Sequence, residues 1–325
     1  MNKRNLIKTL AVASAMTLAC GLGIAQTNTK PVRIIVAFAA GGPVDAMART
    51  LAEPLGRALG RTVIVENKPG ASGAIGANEV IKSEADGSTL WLTSVGAAAI
   101  NPALFPKLSY NMQKDFVPVS LAANNVEVFV VNINNPAKDV VEFMAAAKTK
   151  KEPLAIASSG KGSIPHLALL QFEYSTGVDM LHVPYNGMAP ALNDLLGGQV
   201  SGFFADVPAV MAQIKGGRLR AIGMASKTRH PYLPDVKTFE EQGFKSVDTN
   251  NWYGFFASAK TSPDMIKTLN KAIQQAVADP TANLKLTQSG AEPKSTSPDE
   301  LGAMLAADTE KWARLVKARN ITADQ

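Results

Sequence analysis

The chain has 325 residues, of which 46% are hydrophobic and 18% are charged, and its formal net charge is +6. This length exceeds one typical hydrophobic core and favours two lobes, while no internal window holds the roughly 20 uncharged apolar residues that a membrane span requires. The basic residues form no run interleaved with aromatic side chains, which argues against a nucleic-acid-binding protein.

The N-terminal residues are typical of a secretory signal peptide. Three basic residues precede an apolar run over residues 10–24, and the small residues Gly23 and Ala25 stand at a plausible cleavage point. We therefore predict that residues 1–25 are a signal peptide, that the mature chain starts near Gln26 and that it resides in the periplasm. Loss of three basic residues from 33 leaves 30 against 27 acidic ones, a net charge of +3 that suits an anionic ligand.

Cys20 opens an alternative, because Leu18-Ala19-Cys20-Gly21 is close to a lipoprotein signal. Thr17 stands where such signals usually have leucine. If cleavage follows Ala25 instead, the mature chain has no cysteine. Disulfides, thiolate nucleophiles and cysteine-bound zinc are then excluded.

A strand, a glycine-rich turn and a helix follow the leader. Residues 32–38 are a β-branched run, Gly41 and Gly42 lie in the turn, and apolar residues at helical spacing begin after Asp45. A second strand is predicted at residues 62–66. This βαβ unit predicts a parallel pair of strands.

Strands and helices alternate along the rest of the chain. Further strands are predicted at residues 90–93, 126–132, 154–157, 179–183, 200–205, 220–224 and 252–257. Helices are predicted at residues 140–148, 164–176, 189–196, 208–215, 263–278 and 298–319. The alternation predicts an α/β fold with mostly parallel sheets flanked by helices.

The chain has no Pro/Gly/Ser-rich tether, so we expect two lobes that are joined by crossing strands. The crossings are predicted near residues 122–126 and 226–239. Lobe 1 then consists of residues 26–124 and 240–325. Lobe 2 consists of residues 125–239.

Three loops that follow predicted strands present groups suited to an anion. Ligands in open α/β sheets lie beyond the carboxyl ends of the strands, where helix N-termini offer unpaired N–H groups. An ordinary capped turn is the structural alternative for each loop. The candidate ligand-binding residues are Phe38, Ala40, Gly41, Gly42 and Asp45 in the first loop, Ser94 and Gly96 in the second, and Ser158, Ser159, Gly160 and Ser163 in the third.

Three further side chains are candidates at the same edge of the sheet. His166 lies one turn into the helix after the third loop, and Asn186 and Asp206 follow later strands. A lone histidine is more often structural. Asp206 repels a carboxylate unless the ligand also brings a donor such as an amine, so a role in fixing the backbone is an equal alternative.

Several motifs then occur in order along the chain: Pro31-Val32-Arg33-Ile34-Ile35-Val36, Gly41-Gly42-Pro43-Val44-Asp45 with Ala48-Arg49, Val65-Glu66-Asn67-Lys68-Pro69-Gly70, Asp86-Gly87-Ser88-Thr89-Leu90, His182-Val183-Pro184-Tyr185-Asn186-Gly187 and Trp252-Tyr253-Gly254. Together they resemble the Bug-type periplasmic binding proteins of the tripartite tricarboxylate transporter family, over residues 31–320. Ala37 departs from the pattern, which commonly has proline there. The resemblance implies two lobes in a Venus-flytrap arrangement, with a ligand carboxylate held largely by backbone groups and ordered water in loops of both lobes.

We therefore expect a periplasmic solute-binding protein that captures a small carboxylate, which is an aliphatic, amino or aromatic acid, for uptake by a tripartite tricarboxylate-type transporter. The expected partners are this ligand and the membrane permease subunits. We expect a monomer that binds no cofactor, no metal and no nucleic acid, because no dense set of His, Asp and Glu predicts a metal site.

Two alternatives remain open at this point. A periplasmic sensing partner of a signalling receptor uses the same binding chemistry and differs only at its surface. A periplasmic hydrolase would use Ser159 or Ser163 with His166, but the chain has no G-x-S-x-G motif and no compelling orienting acid.

Overall fold

The computed structural model describes residues 30–244, 247–318 and 321. The predicted signal peptide, its cleavage point and Cys20 lie outside the described residues. The strands are β1 (Val32–Val36), β2 (Val63–Asn67), β3 (Thr89–Ser94), β4 (Phe116–Asn132), β5 (Ala155–Ser158), β6 (Leu181–Pro184), β7 (Gly202–Asp206), β8 (Leu219–Met224), β9 (Asn250–Ser258) and β10 (Glu292–Pro293).

The α-helices are α1 (Pro43–Leu59), α2 (Ala74–Lys82), α3 (Asn101–Leu104), α4 (Met112–Asp115), α5 (Val140–Thr149), α6 (Ile164–Thr176), α7 (Met188–Leu196), α8 (Val207–Lys215), α9 (Pro263–Ala278), α10 (Pro280–Ser289) and α11 (Pro298–Ala318). Short 3₁₀ turns lie at Ala71–Gly73 and Glu240–Gln242, and a π-helical turn lies at Gly96–Ile100. Among the described helices, none combines the length and the apolar character needed to span a bilayer.

The strands form a mixed sheet in the order β2-β1-β3-β9-β4-β7-β5-β6, with β8 and β10 also paired to β4. β1 lies between β2 and β3 and is parallel to both, and β5 lies in the same way between β6 and β7. Every pairing of β4 and β9 is antiparallel. The predicted α/β fold is confirmed. Its sheet is mixed because β4 carries the chain from one half to the other and β9 brings it back antiparallel to β4.

Strands β4 and β9 join the two halves of the sheet. β4 pairs with β9 from Phe116 to Val126, and it pairs with β7 from Glu127 onward. We call β1–β3, β9 and β10 with α1–α4 and α9–α11 the first half. We call β5–β8 with α5–α8 the second half.

Residues beyond the return crossing predicted near 226–239 still contact the second half. Phe244 and Val247 pack in the same hydrophobic cluster as Phe129 and Phe239, which belong to the second half. The backbone N–H of Thr249 still donates to the carbonyl of Ala225. We infer that residues 240–244 and 247 belong with the second half and that the chain crosses at residues 249–251.

Two elements differ from the sequence prediction for local reasons. β4 has 17 residues, while the apolar pattern predicts a strand only at residues 126–132. Its first part contains register shifts at Pro118/Ser120 and Leu121/Ala123, which break the alternation of a regular strand. Helix α10 is not predicted, because it follows α9 directly and Asp279 ends one helix while its side chain caps the next.

Helices cover both faces of each half. In the first half, α1 and α9 pack Leu51 and Ile273 against one face, and α11 packs Trp312 against the other. In the second half, the ring of Phe129 lies 4.6 Å from that of Phe204 and 5.0 Å from that of Phe143. These rings leave little free space in the core of the second half.

Gly202 allows this aromatic packing. A Cβ at residue 202 would lie 2.6 Å from Cζ of Phe129. We expect Gly202→Ala to lower the free energy of unfolding by about 1–3 kcal/mol in urea titrations, because it overpacks the core. Gly302→Ala on α11 is the matched control, since its Cβ would lie 3.7 Å from the nearest side-chain atom and should stabilise the helix by about 0.5–1 kcal/mol. Wild-type stability in Gly202→Ala would contradict this view of the core.

Candidate functional site

A cavity of about 230 Å³ lies between the two halves of the sheet. Its walls come from the first turns of α1, α7 and α8, from α10 and from Tyr253 of β9. The loops that enter α1, α7 and α8 follow the carboxyl ends of β1, β6 and β7. This is the edge at which open α/β sheets bind their ligands.

The first loop is held in shape by Asp45. One carboxylate oxygen of Asp45 accepts from the Gly41 N–H at 2.9 Å and from Arg49 Nε at 3.0 Å, and the other accepts from Asn67 Nδ2 at 2.9 Å. Burial raises the pKa of Asp45, but these hydrogen bonds bring it below its usual value. Asp45 therefore remains ionised and fixes a loop in which Gly41 and Gly42 line the cavity.

The other two residues of this loop differ in exposure. Ala40 is exposed beside Gly41. Phe38 is half-buried, packs against the core and accepts a hydrogen bond from Asn67 Nδ2 through its carbonyl. Trp252 of the Trp252-Tyr253-Gly254 motif is fully buried and donates to Asp308 at 2.7 Å.

The second loop follows a strand whose last residue, Ser94, lies on the same face of the sheet as the cavity. Ser94 lies opposite Tyr253 in the antiparallel pair of β3 and β9. Opposite residues in such a pair point to the same face, and Tyr253 lines the cavity. The Ser94 hydroxyl has no hydrogen-bond partner in the part of the chain that the structure describes, so it is available to a ligand. Gly96 is buried two residues further on.

The third loop crosses to the first half. Gly162 has φ of +75°, and a Cβ there would lie 2.5 Å from Leu104 of α3. Ile164 and Leu167 of α6 pack in the same cluster as Leu104. The loop therefore approaches α3 closely because residue 162 has no side chain.

Most hydroxyls of this loop are used inside it. Ser158 Oγ lies 2.7 Å from His182 Nε2, and Ser163 Oγ donates to the Gly160 carbonyl at 2.7 Å. Ser163 also caps α6. The side chains of Ser159 and Lys161 have no hydrogen-bond or ion-pair partner among the residues described, and both are half-exposed.

His166 and His182 support the third loop through hydrogen bonds to Gly162 and Ser158. Their rings stack at 4.1 Å, and His166 Nδ1 accepts from the Gly162 N–H at 3.1 Å. Burial, His182 and Lys161 lower the pKa of His166 to about 3, and burial and Lys161 lower that of His182 to about 4. Both rings are therefore neutral at neutral pH. His166 positions the loop through Gly162.

Three helices begin at the cavity without a side-chain cap. The N-cap residues of α1, α7 and α8 are Gly42, Gly187 and Asp206, and none of these described residues caps its helix through a side chain. By contrast, Asp139 and Ser262 cap α5 and α9. The N–H groups of an uncapped first turn lack intrahelical acceptors and carry partial positive charge. Pro43, Pro190 and Pro208 in these turns contribute no N–H group. The remaining N–H groups favour an anion most at α7, because Asp45 and Asp206 already place a carboxyl group at the starts of α1 and α8.

Asn186 and Asp206 occupy different environments. Asn186 is exposed on the loop before α7. Asp206 is buried, accepts from the hydroxyl of Tyr253 and accepts from Asn251 Nδ2 at 2.9 Å. Glu127 lies opposite Asp206 in the pairing of β4 and β7. The Asp206 carboxyl is thus used inside the crossing strands.

The candidates predicted from sequence separate into three groups. Gly41 and Gly42 line the cavity, and Ser94 lies on its face of the sheet. A second group has side chains that are engaged within the protein: Asp45, Ser158, Ser163, His166 and Asp206. The remaining candidates, whose contact with a ligand stays a prediction, are Phe38, Ala40, Gly96, Ser159, Gly160 and Asn186.

Sequence reasoning missed the cavity walls formed by other helices. Met188, Ala209 and Leu286 line the cavity from α7, α8 and α10. Their apolar side chains follow the pattern of ordinary core residues and give no separate signal. Tyr253 belongs to the Trp252-Tyr253-Gly254 motif, but its neighbours in sequence do not predict a contact with Asp206. No group of three or more His, Cys, Asp or Glu suited to a metal occurs among the described residues.

The neutral histidine pair predicts a pH-dependent stability. Because the folded-state pKa values of His166 and His182 lie below 6.5, the unfolded chain binds more protons between about pH 4 and 6.5. The contribution of the pair to the free energy of unfolding is therefore fully present above pH 6.5. It decreases as the pH is lowered, by about 1.4 kcal/mol per pH unit for each histidine near pH 5. Urea titrations from pH 4.5 to 7.5 should show a shallower slope in a His166→Gln/His182→Gln variant. An unchanged slope would contradict the neutral pair.

The sequence matches the family described as tripartite tricarboxylate transporter family receptor over residues 47–321. Among curated relatives, protein BugT of Bordetella pertussis is 34% identical over 318 residues, which cover 96% of this chain and 98% of BugT.

Solved structures of similar proteins share the fold. The periplasmic binding protein BugD is 33% identical with a TM-score of 0.85, covering 90% of this chain and 98% of BugD. MatC from Rhodopseudomonas palustris with bound malate is 30% identical with a TM-score of 0.82, covering 88% and 98%. The R. palustris protein Rpa4515 with adipate is 29% identical with a TM-score of 0.86, covering 90% and 98%.

The family match and the relatives each span nearly all of the described residues, and the solved structures share the fold of this chain. The chain belongs to the tripartite tricarboxylate transporter receptor family.

Proposed function

We propose that this protein is a periplasmic receptor that captures a small carboxylate between the two halves of its sheet and delivers it to the permease subunits of a tripartite tricarboxylate-type transporter. The convergence of three uncapped helix N-termini on one cavity carries the proposal. Oriented N–H groups stabilise an anion without a paired cation. The malate and adipate in the two R. palustris relatives support a carboxylate as that anion.

The recognition groups come from both halves. Ser94 and the first turn of α1 belong to the first half, and Ser159 and the first turns of α7 and α8 belong to the second. Each half therefore supplies part of the donor set, which favours closure of the halves around a ligand. Lys161, half-exposed and without an ion pair in the described structure, assists encounter with an anion more than it sets affinity.

A binding role fits the site better than hydrolysis. Ser163 caps α6, and its hydroxyl proton goes to the Gly160 carbonyl. His166 accepts from a backbone N–H, and its low pKa makes it a poor general base. A sensing role that uses the same cavity remains the second candidate, and the partner that binds the loaded receptor distinguishes the two.

The free hydroxyls provide the direct test of the site. We expect Ser94→Ala and Ser159→Ala each to raise the Kd for adipate by about 10- to 100-fold in titration calorimetry, since each removes a hydrogen bond to a charged group. Ser175→Ala is the matched control, because that hydroxyl is buried without a partner among the described residues. Side-chain variants are preferable to substitution of Gly41, whose φ of +84° would strain any other residue. Equal affinities in all three variants would contradict the assignment.

Export gives a separate prediction. We expect the protein isolated from the periplasm to begin near Gln26, because residues 1–25 have the composition of a signal peptide. Intact mass measurement checks this start. A lipid-modified Cys20 or a retained Met1 would contradict it.

A further inference from the structure

Helix α6 belongs to the second half of the sheet but buries two different stripes of apolar side chains. Leu169 and Phe172 pack in the aromatic cluster of the second half. Ile164 and Leu167, which lie one helical turn apart, pack instead in the cluster of Leu104, which belongs to the first half. Since side chains three residues apart share one face of a helix, α6 presents this second stripe to the first half.

The second stripe runs from the crossing strands to the edge of the cleft. Near the crossing, the side-chain oxygen of Gln171 accepts from the Asp248 N–H at 3.1 Å. Ile164 lies seven residues earlier, about 10 Å along the helix, beside the third loop. In that loop, a Cβ at Gly162 would lie 2.5 Å from Leu104. A rotation about the crossing strands therefore moves the Gln171 end of the contact least and the Gly162 end most.

The contact at the cleft end consists of protein atoms alone. Leu104 and Ile164 are each 3% exposed, and Phe105 is half-buried against the same cluster. Opening of the halves would return this apolar surface to water, which is unfavourable whether or not a ligand is bound. We call the following residues the latch: Gly162, Ile164 and Leu167 of the second half, with Leu104 and Phe105 of the first half.

We propose that the latch holds the two halves together before a ligand binds. It thereby raises the affinity for the ligand, because the apparent Kd decreases as the binding-competent fraction of the protein grows. The effect on affinity rests on the proposed function, whereas the effect on the shape of the protein does not.

Truncation of the latch tests both effects. We expect Leu104→Ala to raise the radius of gyration of the ligand-free protein in small-angle scattering, because the closed arrangement loses part of its buried apolar contact. In titration calorimetry it should raise the Kd for adipate by at least about tenfold, through a loss of the closed fraction by the same factor. Leu301→Ala is the matched control. Leu301 belongs to the same cluster but packs against Gly254 within the first half, so both measurements should remain as in the wild type.

Obstruction of the latch tests it from the second half. A side chain at residue 162 would collide with Leu104, so Gly162→Leu should also raise the ligand-free radius of gyration. Gly177→Leu at the end of α6 is the matched control, since its φ of +67° is close to the +75° of Gly162 and nothing lies within 4 Å of its Cβ. Circular dichroism checks that each variant folds. Phe105→Ala, which removes a half-buried ring from the same contact, serves if Leu104→Ala does not fold.

The outcomes separate the latch from the proposed function. Larger radii in Leu104→Ala and Gly162→Leu, with wild-type radii in the two controls, support the latch. A wild-type radius in either latch variant, or equal increases in the controls, overturns it. An unchanged Kd for adipate despite larger radii overturns its role in affinity. If the wild-type protein binds no acid, the proposed function is wrong and the radii still decide the latch.

Discussion

The antiparallel pairing of β4 with β9 is the constraint on which the rest of the structure depends. The two strands are hydrogen-bonded from Phe116 to Val126, and β4 then continues into the second half beside β7. Both parallel sets of strands attach to this pair, one through β3 and the other through β7. Because the two halves are connected along a ladder of backbone hydrogen bonds, strand register determines which loops of the two halves face each other. The cavity between them has defined walls for the same reason.

The crossing is reinforced by a buried acid pair. Burial and the neighbouring Asp206 raise the pKa of Glu127 well above its usual value, and burial raises that of Asp206 against the opposing hydrogen bonds from Glu127, Tyr253 and Asn251. Glu127 Oε2 receives no hydrogen bond from any N–H or O–H group in the described residues. Burial beside Asp206 therefore favours the protonated form of Glu127. Two buried carboxylates of like charge would be far less stable.

The candidate site presents the ends of helices where many anion sites present arginine. The uncapped helix ends and the apolar walls lie next to each other because α1, α7 and α8 begin at the cavity and also place methionine, leucine and alanine in its lining. The same helices thus present both uncapped first turns and apolar side chains to the cavity. Arg49, the arginine nearest the first loop in sequence, is held by Asp45 and Asn67 and keeps the loop in shape.

The sequence by itself determined the alternation of strands and helices, the position of the first loop and the family of the chain. These depend on periodicity, on glycine and on short motifs within about 15 residues. Only the tertiary structure decided the length of β4, the presence of α10 in the cavity wall and the engagement of Asp206 by Tyr253, 47 residues away. Ser94 and Ser163 have the same side chain after a strand, yet Ser94 is unpaired within the described residues while Ser163 caps a helix. Their roles differ because register and helix position, which no local pattern encodes, decide which polar group finds a partner inside the protein.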